Sequence, residues 1–364
     1  MNIEQIIVNI EAFAPLAWQD DFDNSGLQVG NIHQTATGAL LCLDVTEDVV
    51  DEALDAGCNL IISHHPLLFH PLRTLTGKTY IERCVMKACK HDLVIYAAHT
   101  NLDNAFGGVN FCLAEKIGLE NPRILKPKSG ILLKLVTFVP KNYAEEVRTA
   151  MFRAGAGHIG NYDMCSYNLA GEGSFRAGDN AQPFVGDVGE LHLEQEIRIE
   201  TIVPAYRKSA VEKALLLAHP YEEPAYDFYP LQNEWERVGS GVIGELSLET
   251  EESTFLEQVK ATLHLQTLKH SPFTGKTVRR VAICGGSGAF LIPDAIAQKA
   301  DVFLTGEARY NDYYNVEDRL LLAVSGHFET EQCTKELFFD IISKKMPNFA
   351  LRFSKVNTNP INYM

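Results

Sequence analysis

An apolar run closed by two adjacent histidines and a proline, Asn59-Leu60-Ile61-Ile62-Ser63-His64-His65-Pro66, constrains this chain most. Leu60, Ile61 and Ile62 have the character of a buried strand, and Pro66 lacks the N–H that a ladder needs. The two imidazoles therefore fall at a strand's carboxyl end, where open α/β sheets place their ligand sites. A single buried histidine is usually a satisfied packing group. Two in succession leave every ring nitrogen in need of a partner, which a metal ion supplies more readily than a core does.

The flanking pattern supports a sheet. Helical spacing of apolar residues marks 3–13, 47–56, 80–91 and 109–117, and strand-like runs cover 39–44, 60–63 and 93–97. Such alternation predicts a parallel sheet flanked by helices. Asp23-Asn24-Ser25-Gly26-Leu27-Gln28-Val29-Gly30 reads either as a glycine-punctuated turn or as a loop whose polar groups face a site.

Past Pro122 the texture changes. Residues 126–130, Lys-Pro-Lys-Ser-Gly, look like a linker. Strands are expected at 131–139, 162–168, 171–177, 190–203 and 226–231, with helices at 143–154 and 204–219 and an exit at 233–237. Two helices among several strands make a compact ferredoxin-like α+β unit. Alternation then resumes, with strands at 239–248, 278–284, 302–305 and 320–324 and helices at 254–263, 291–299 and 329–345.

Strand exits keep producing metal-type ligands. The first yields His64 and His65, the 93–97 strand yields His99 and Asp103, and the 320–324 strand yields His327 and Glu331. Four residues apart on a helix, His327 and Glu331 share a face, which singles out Glu331 over Glu329. Three imidazoles and two carboxylates suit two divalent cations, with zinc, iron, manganese and nickel all compatible. One division puts His65 and Asp103 on one ion and His64 and His327 on the other, Glu331 bridging. His99 and Asn101 suit the orientation of ligands or substrate, and His99 is the candidate for proton transfer.

For Asp103 and His327 to meet, the chain between them must leave and return near one place. The expected architecture is therefore a helix-flanked mixed-sheet α/β core, 1–126 with 233–364, interrupted by an inserted unit at 127–232. Weaker signals accompany it. Gly285-Gly286-Ser287-Gly288 is either a phosphate-cradling loop or a tight turn, and Glu307 with Arg309 reads as a structural ion pair. His219, Glu222 and Glu223 offer a second metal cluster, although helix termination by Pro220 explains them better.

With 47 acidic against 32 basic residues, the net charge of -15 argues against a nucleic-acid partner. The eight cysteines form no C-x-x-C pair and read as reduced, buried residues, in keeping with a cytoplasmic protein. No run has membrane-spanning length, and the amino terminus lacks the pattern of a signal peptide.

Five stretches carry a resemblance that covers essentially the whole chain: residues 23–30, 63–66, 99–103, 284–288 and 326–331. Together they resemble the GTP cyclohydrolase I type 2 homologues, also described as dinuclear-metal-centre hexameric proteins. The stretch His219-Pro220-Tyr221-Glu222-Glu223-Pro224-Ala225-Tyr226 looks like the mark of the PII-like, CutA-like insert of longer members. The resemblance implies a two-metal site at His64, His65, Asp103, His327 and Glu331, in a toroidal homohexamer with its sites facing an internal cavity. It further implies a metal-dependent hydrolase acting on a nucleotide or related small molecule. The alternative is a metal-binding or metal-delivery protein with a ligand-sensing insert.

Overall fold

The computed structural model describes residues 1–364. The chain forms two compact units, Met1–Lys126 with Arg237–Met364, and Pro127–Glu236.

In the first unit a five-stranded sheet has the order Gly26–Val29, Val94–Ala97, Leu60–Ser63, Ala39–Cys42, Leu351–Phe353. All its pairings are parallel except that of the outer Gly26–Val29 strand. Side chains alternate across it: Leu41, Leu60, Ile62 and Tyr96 enter one core cluster, whereas Leu40, Cys42, Ile61 and Ile95 enter another beneath helices Glu47–Asp55 and Tyr80–Lys90. Burial on both faces explains why these strands read as continuous apolar runs.

A six-stranded mixed sheet has the order Lys269–His270, Leu321–Val324, Val302–Thr305, Thr277–Cys284, Glu234–Glu251, Leu119–Ser129. Its inner face contributes Val281, Ile283, Leu304 and Leu321 to the cluster that holds Leu41 and Tyr96. Helices Ile3–Phe13, Val109–Ile117, Glu252–Thr262 and Thr334–Ser343 supply side chains to this shared core. The three ligand-bearing exits thus belong to two sheets rather than to one sheet edge.

The Pro127–Glu236 unit is a four-stranded antiparallel sheet in the order Ser166–Arg176, Leu191–Pro204, Leu132–Pro140, Tyr226–Leu231. Helices Ala144–Arg153 and Lys208–Ala218 complete a βαββαβ succession. Their apolar faces (Val147, Met151, Val211, Leu215) pack with Leu135, Val139 and Ile199 into a separate core.

Four local expectations need correction. Residues 126–130 are no linker but largely the end of the Leu119–Ser129 strand, which lies at a sheet edge where proline and lysine are tolerated. The supposed exit at 233–237 likewise falls almost wholly within the Glu234–Glu251 strand. Instead of two strands at 162–168 and 171–177 there is one, Ser166–Arg176, whose register with the Leu191–Pro204 strand runs unbroken through Gly171 and Gly173. The long helix expected over 329–345 is broken into His327–Glu331 and Thr334–Ser343.

Ile61 lies in the strand that delivers His64 and His65 and is fully buried. Ile61→Ala is expected to cost about 2–5 kcal/mol of unfolding free energy, because the surrounding core fills the void only in part. Guanidinium denaturation of the variant against the parent checks it.

Candidate metal centre

Each imidazole is fixed from behind. His64 Nδ1 donates to the Ala98 carbonyl at 2.9 Å, and His65 Nδ1 lies 2.7 Å from Asp44 Oδ1. His99 Nδ1 meets Asp23 Oδ1 at 2.7 Å, and His327 Nδ1 meets Glu307 Oε1 at 3.1 Å. When such a ring is neutral, an acceptor on Nδ1 makes Nδ1 the protonated nitrogen and leaves the Nε2 lone pair for a metal.

Those lone pairs converge on one carboxylate oxygen. Glu331 Oε2 is 2.9 Å from His65 Nε2, 3.1 Å from His327 Nε2 and 3.8 Å from His64 Nε2. His65 Nε2 and His327 Nε2 stand 3.2 Å apart, and His64 Nε2 is 3.6 Å from Asp103 Oδ1. Both His64 Nε2 and Glu331 Oε2 are buried without a hydrogen-bond partner. Lone pairs and carboxylate oxygens opposed at such distances repel unless a cation lies among them. Two donors bound tetrahedrally to one ion at about 2.1 Å stand roughly 3.4 Å apart, so the spacing fits the group it would hold.

The donors sort into two sets that share Glu331: His64 with Asp103, and His65 with His327. By these groupings Asp103 stands with His64, whereas one division open to the sequence places it with His65. His64 and Asp103 follow neighbouring strands of the first sheet, whereas His65 reaches towards the loop of the second. His99 brings a ring nitrogen within 4.8 Å of donors on His64 and His65. All six candidates, His64, His65, His99, Asp103, His327 and Glu331, come together in one cluster.

Electrostatics follow from this packing. Burial opposes a charge on His65, but the Asp44 and Glu331 carboxylates outweigh it and raise its pKa from 6.5 to about 10. His64, sealed from water, is lowered from 6.5 to about 4. Asp103 is pushed well above the usual carboxylate range by burial and by the neighbouring Glu331 charge. For Glu331 burial acts upward, yet the three imidazoles hold its carboxyl well below that range. Without metal, the proton on His65 serves as the local cation.

Other expectations change. Glu329 turns away and accepts from Asn359 Nδ2 at 2.9 Å. Glu307 pairs with His327 and accepts from Ser287 Oγ, not with Arg309, whose backbone N–H goes to Asp312. The N–H groups of Gly285, Gly286 and Gly288 are taken by Asn110, Thr330 and Thr305, which removes the phosphate cradle. Gly286 is required for another reason: with φ +58°, a Cβ there would lie 2.3 Å from Glu331 Oε1. Asn101 is occupied with backbone, accepting from His99 N–H and donating to the Ala14 carbonyl. His219 is a structural group, its Nε2 on the Phe138 carbonyl and its Nδ1 accepting from Tyr221 N–H.

Sequence reasoning missed Asp23 and Asp44. Asp44 ends the 39–44 run, a position of the same kind as the histidines, and Asp23 sits in the polar loop at 23–30. Asp23 also accepts from the backbone N–H and hydroxyl of Thr100 and from Ser25 Oγ.

The fold and the donor set define an α/β protein with a histidine–carboxylate centre at the carboxyl ends of two sheets. By comparison with known proteins, the chain belongs to the Duf34/NIF3 (NGG1p interacting factor 3) family, whose pattern it matches over residues 1–360. It is 38% identical to a protein of Halalkalibacterium halodurans named GTP cyclohydrolase 1 type 2 homolog, over 100% of this chain and 99% of that one. Identity is also 38% to the Bacillus subtilis protein of the same name, again over 100% and 99%. Among solved structures, a Bacillus cereus protein related to NIF3 superposes with a TM-score of 0.86 at 38% identity, covering 100% of this chain and 99% of its own. No helix is long and apolar enough to cross a membrane.

Three outcomes are expected. At pH 7 zinc loading displaces the proton held on His65, so apparent affinity rises with pH. Stability that the protonated His65 lends the metal-free protein is full below pH 6.5 and is lost as pH rises through about 10. Calorimetry in buffers of different ionisation enthalpy measures the protons released. Separately, Asp44→Asn is expected to lower zinc affinity about 10–100-fold while Asp23→Asn changes it far less, as read by competition with a chromogenic chelator.

Proposed function

We propose that this chain is a divalent-metal-dependent hydrolase with a dinuclear centre, acting on a nucleotide or related small molecule. The observation that carries the reading is the convergence of three Nε2 atoms on Glu331 Oε2, each ring held outward at Nδ1. His64 and Asp103 would hold one cation, His65 and His327 the other, and Glu331 both. Zinc, iron, manganese or nickel suits these donors. Such a pair, when bound, supplies Lewis acidity and a water of lowered pKa. Asp44, Glu307 and the Ala98 carbonyl keep the rings in register. His99, steadied by Asp23, is the group we assign to proton transfer. The name GTP cyclohydrolase 1 type 2 homolog, carried by relatives, supports a purine nucleotide as the first substrate to try. In the same reading the protein is cytoplasmic and assembles as a toroidal homohexamer. Its 127–232 segment is then an inserted PII-like, CutA-like domain.

A second reading has its own observation. The Pro127–Glu236 unit contains a cavity of about 690 Å³, walled by Phe138, Phe175, Arg198 and Tyr221 among others. A ligand there would suit a metal-delivery or regulatory protein that senses a small molecule.

Protein stripped of metal and reloaded with manganese, iron or zinc is expected to bind two ions per chain and to turn over a nucleotide or phosphoester. His65→Ala and Glu331→Gln are expected to lower the rate at least about 100-fold, within the range that loss of metal-assisted catalysis produces. Tight binding of two ions without turnover of any substrate, together with ligand-dependent hydrogen-exchange protection in residues 127–236, would transfer the case to the second reading.

A further inference from the structure

A larger cavity, about 1060 Å³, lies inside the unit that carries the metal centre. Ser287, Glu307 and His327 line it where it meets the centre. They are linked to one another, Ser287 Oγ donating to Glu307 Oε2 at 2.6 Å and Glu307 Oε1 standing 3.1 Å from His327 Nδ1. The space is therefore bounded by the outer face of a candidate ligand.

Its charge runs against that of the molecule. The chain carries a net charge of -15, yet Lys269, Arg309 and Arg319 all line this cavity. The two carboxylates in the lining are engaged: Glu307 with His327 and Ser287, and Asp312 Oδ2 with the Arg309 N–H at 2.7 Å. Arg319 stands 3.1 Å from Glu317 in a solvent-exposed pair, which contributes little, while Lys269 and Arg309 enter no ion pair. Positive charge thus remains for a ligand. Arginine's planar fork matches phosphate oxygens in pairs, and lysine adds a mobile point charge.

The lining also includes two rings, Phe290 (58% exposed) and Tyr363 (42% exposed). Large exposed aromatic side chains beside a cationic wall offer a flat apolar surface to a ring that stacks. The volume is at the upper end of small-molecule sites, ample for a ring, a sugar and a phosphate.

We infer that this cavity is the binding subsite for an organic phosphate bearing a flat ring, with the phosphate on Arg309, Arg319 and Lys269 and the ring against Phe290 or Tyr363. The inference deepens the hydrolase reading and, as a statement about which end of a substrate is held where, rests on it. Binding itself needs no metal, so the two are separable.

The test is calorimetric titration of full-length protein dialysed free of metal with adenosine 5′-monophosphate, adenosine, ribose 5-phosphate and inorganic phosphate. Adenosine 5′-monophosphate is expected to bind at least about tenfold more tightly than each of the other three and to weaken with added salt. Arg309→Gln with Arg319→Gln is expected to weaken it at least about tenfold without changing the melting temperature, both side chains being exposed. Lys269→Gln alone gives a smaller loss in the same direction. No binding of adenosine 5′-monophosphate, equal binding of adenosine, or unchanged affinity in the folded variants overturns the subsite. Binding as expected in a protein that turns over nothing when reloaded with metal would sink the hydrolase reading and leave the subsite standing.

Discussion

The candidate centre depends on a hydrogen bond made behind each ring. An imidazole in a partly open loop would otherwise rotate and choose between tautomers. The outer acceptors on Nδ1 remove both freedoms, and the inner nitrogens are left as lone pairs facing a buried carboxylate. That arrangement is unfavourable by itself. The orphaned His64 Nε2 marks where that stress lies, and in the metal-free protein the flanking Asp44 and Glu331 carboxylates favour a proton on His65.

The scaffold makes that stress tolerable. Two sheets share a core of Leu41, Ile62, Tyr96, Ile283 and Leu304, so the loops at their carboxyl ends are anchored in one body of packed side chains. The break between His327–Glu331 and Thr334–Ser343 has a role in this. The short helix turns Glu331 to the imidazoles, and the next one returns Phe338 and Ile342 to the core. Gly286 completes the fit by leaving out a side chain where Glu331 Oε1 must pass. On the outer side of His327 the Glu307–Ser287 pair lies between the centre and a cavity lined by Lys269, Arg309 and Arg319.

Much of the fold was legible because apolar periodicity is local. The strands Leu60–Ser63, Val302–Thr305 and Tyr226–Leu231 and the helices Ile3–Phe13 and Val109–Ile117 coincide with their expected ranges. Errors fell where a local signal has two meanings. Lys126-Pro127-Lys128 has the composition of a linker, but an edge strand accepts the same residues because one side of its backbone is unpaired. Separate strands at 162–168 and 171–177 left a break at 169–170, yet the neighbouring strand supplies the register that carries the ladder through Leu169 and Ala170. In the site, the i,i+4 spacing points to Glu331, and Glu331 lies among the imidazoles while Glu329 accepts from Asn359, since helical spacing is local as well. Asp44 and Asp23 were missed because nothing near them in sequence announces a histidine 21 or 76 positions away.

By itself, the sequence determined which side chains stand at strand exits, because a strand's end and the residue after it are settled by apolar runs, proline and glycine. It also determined the net charge of -15. Only the tertiary structure decided that the exits belong to two sheets, that His64 goes with Asp103 and His65 with His327, and that Glu307 serves His327 rather than Arg309. The reason is physical: these contacts are set by how separate strands pack across a shared core, which for His65 and His327 brings together positions 262 residues apart, rather than by any spacing along the chain.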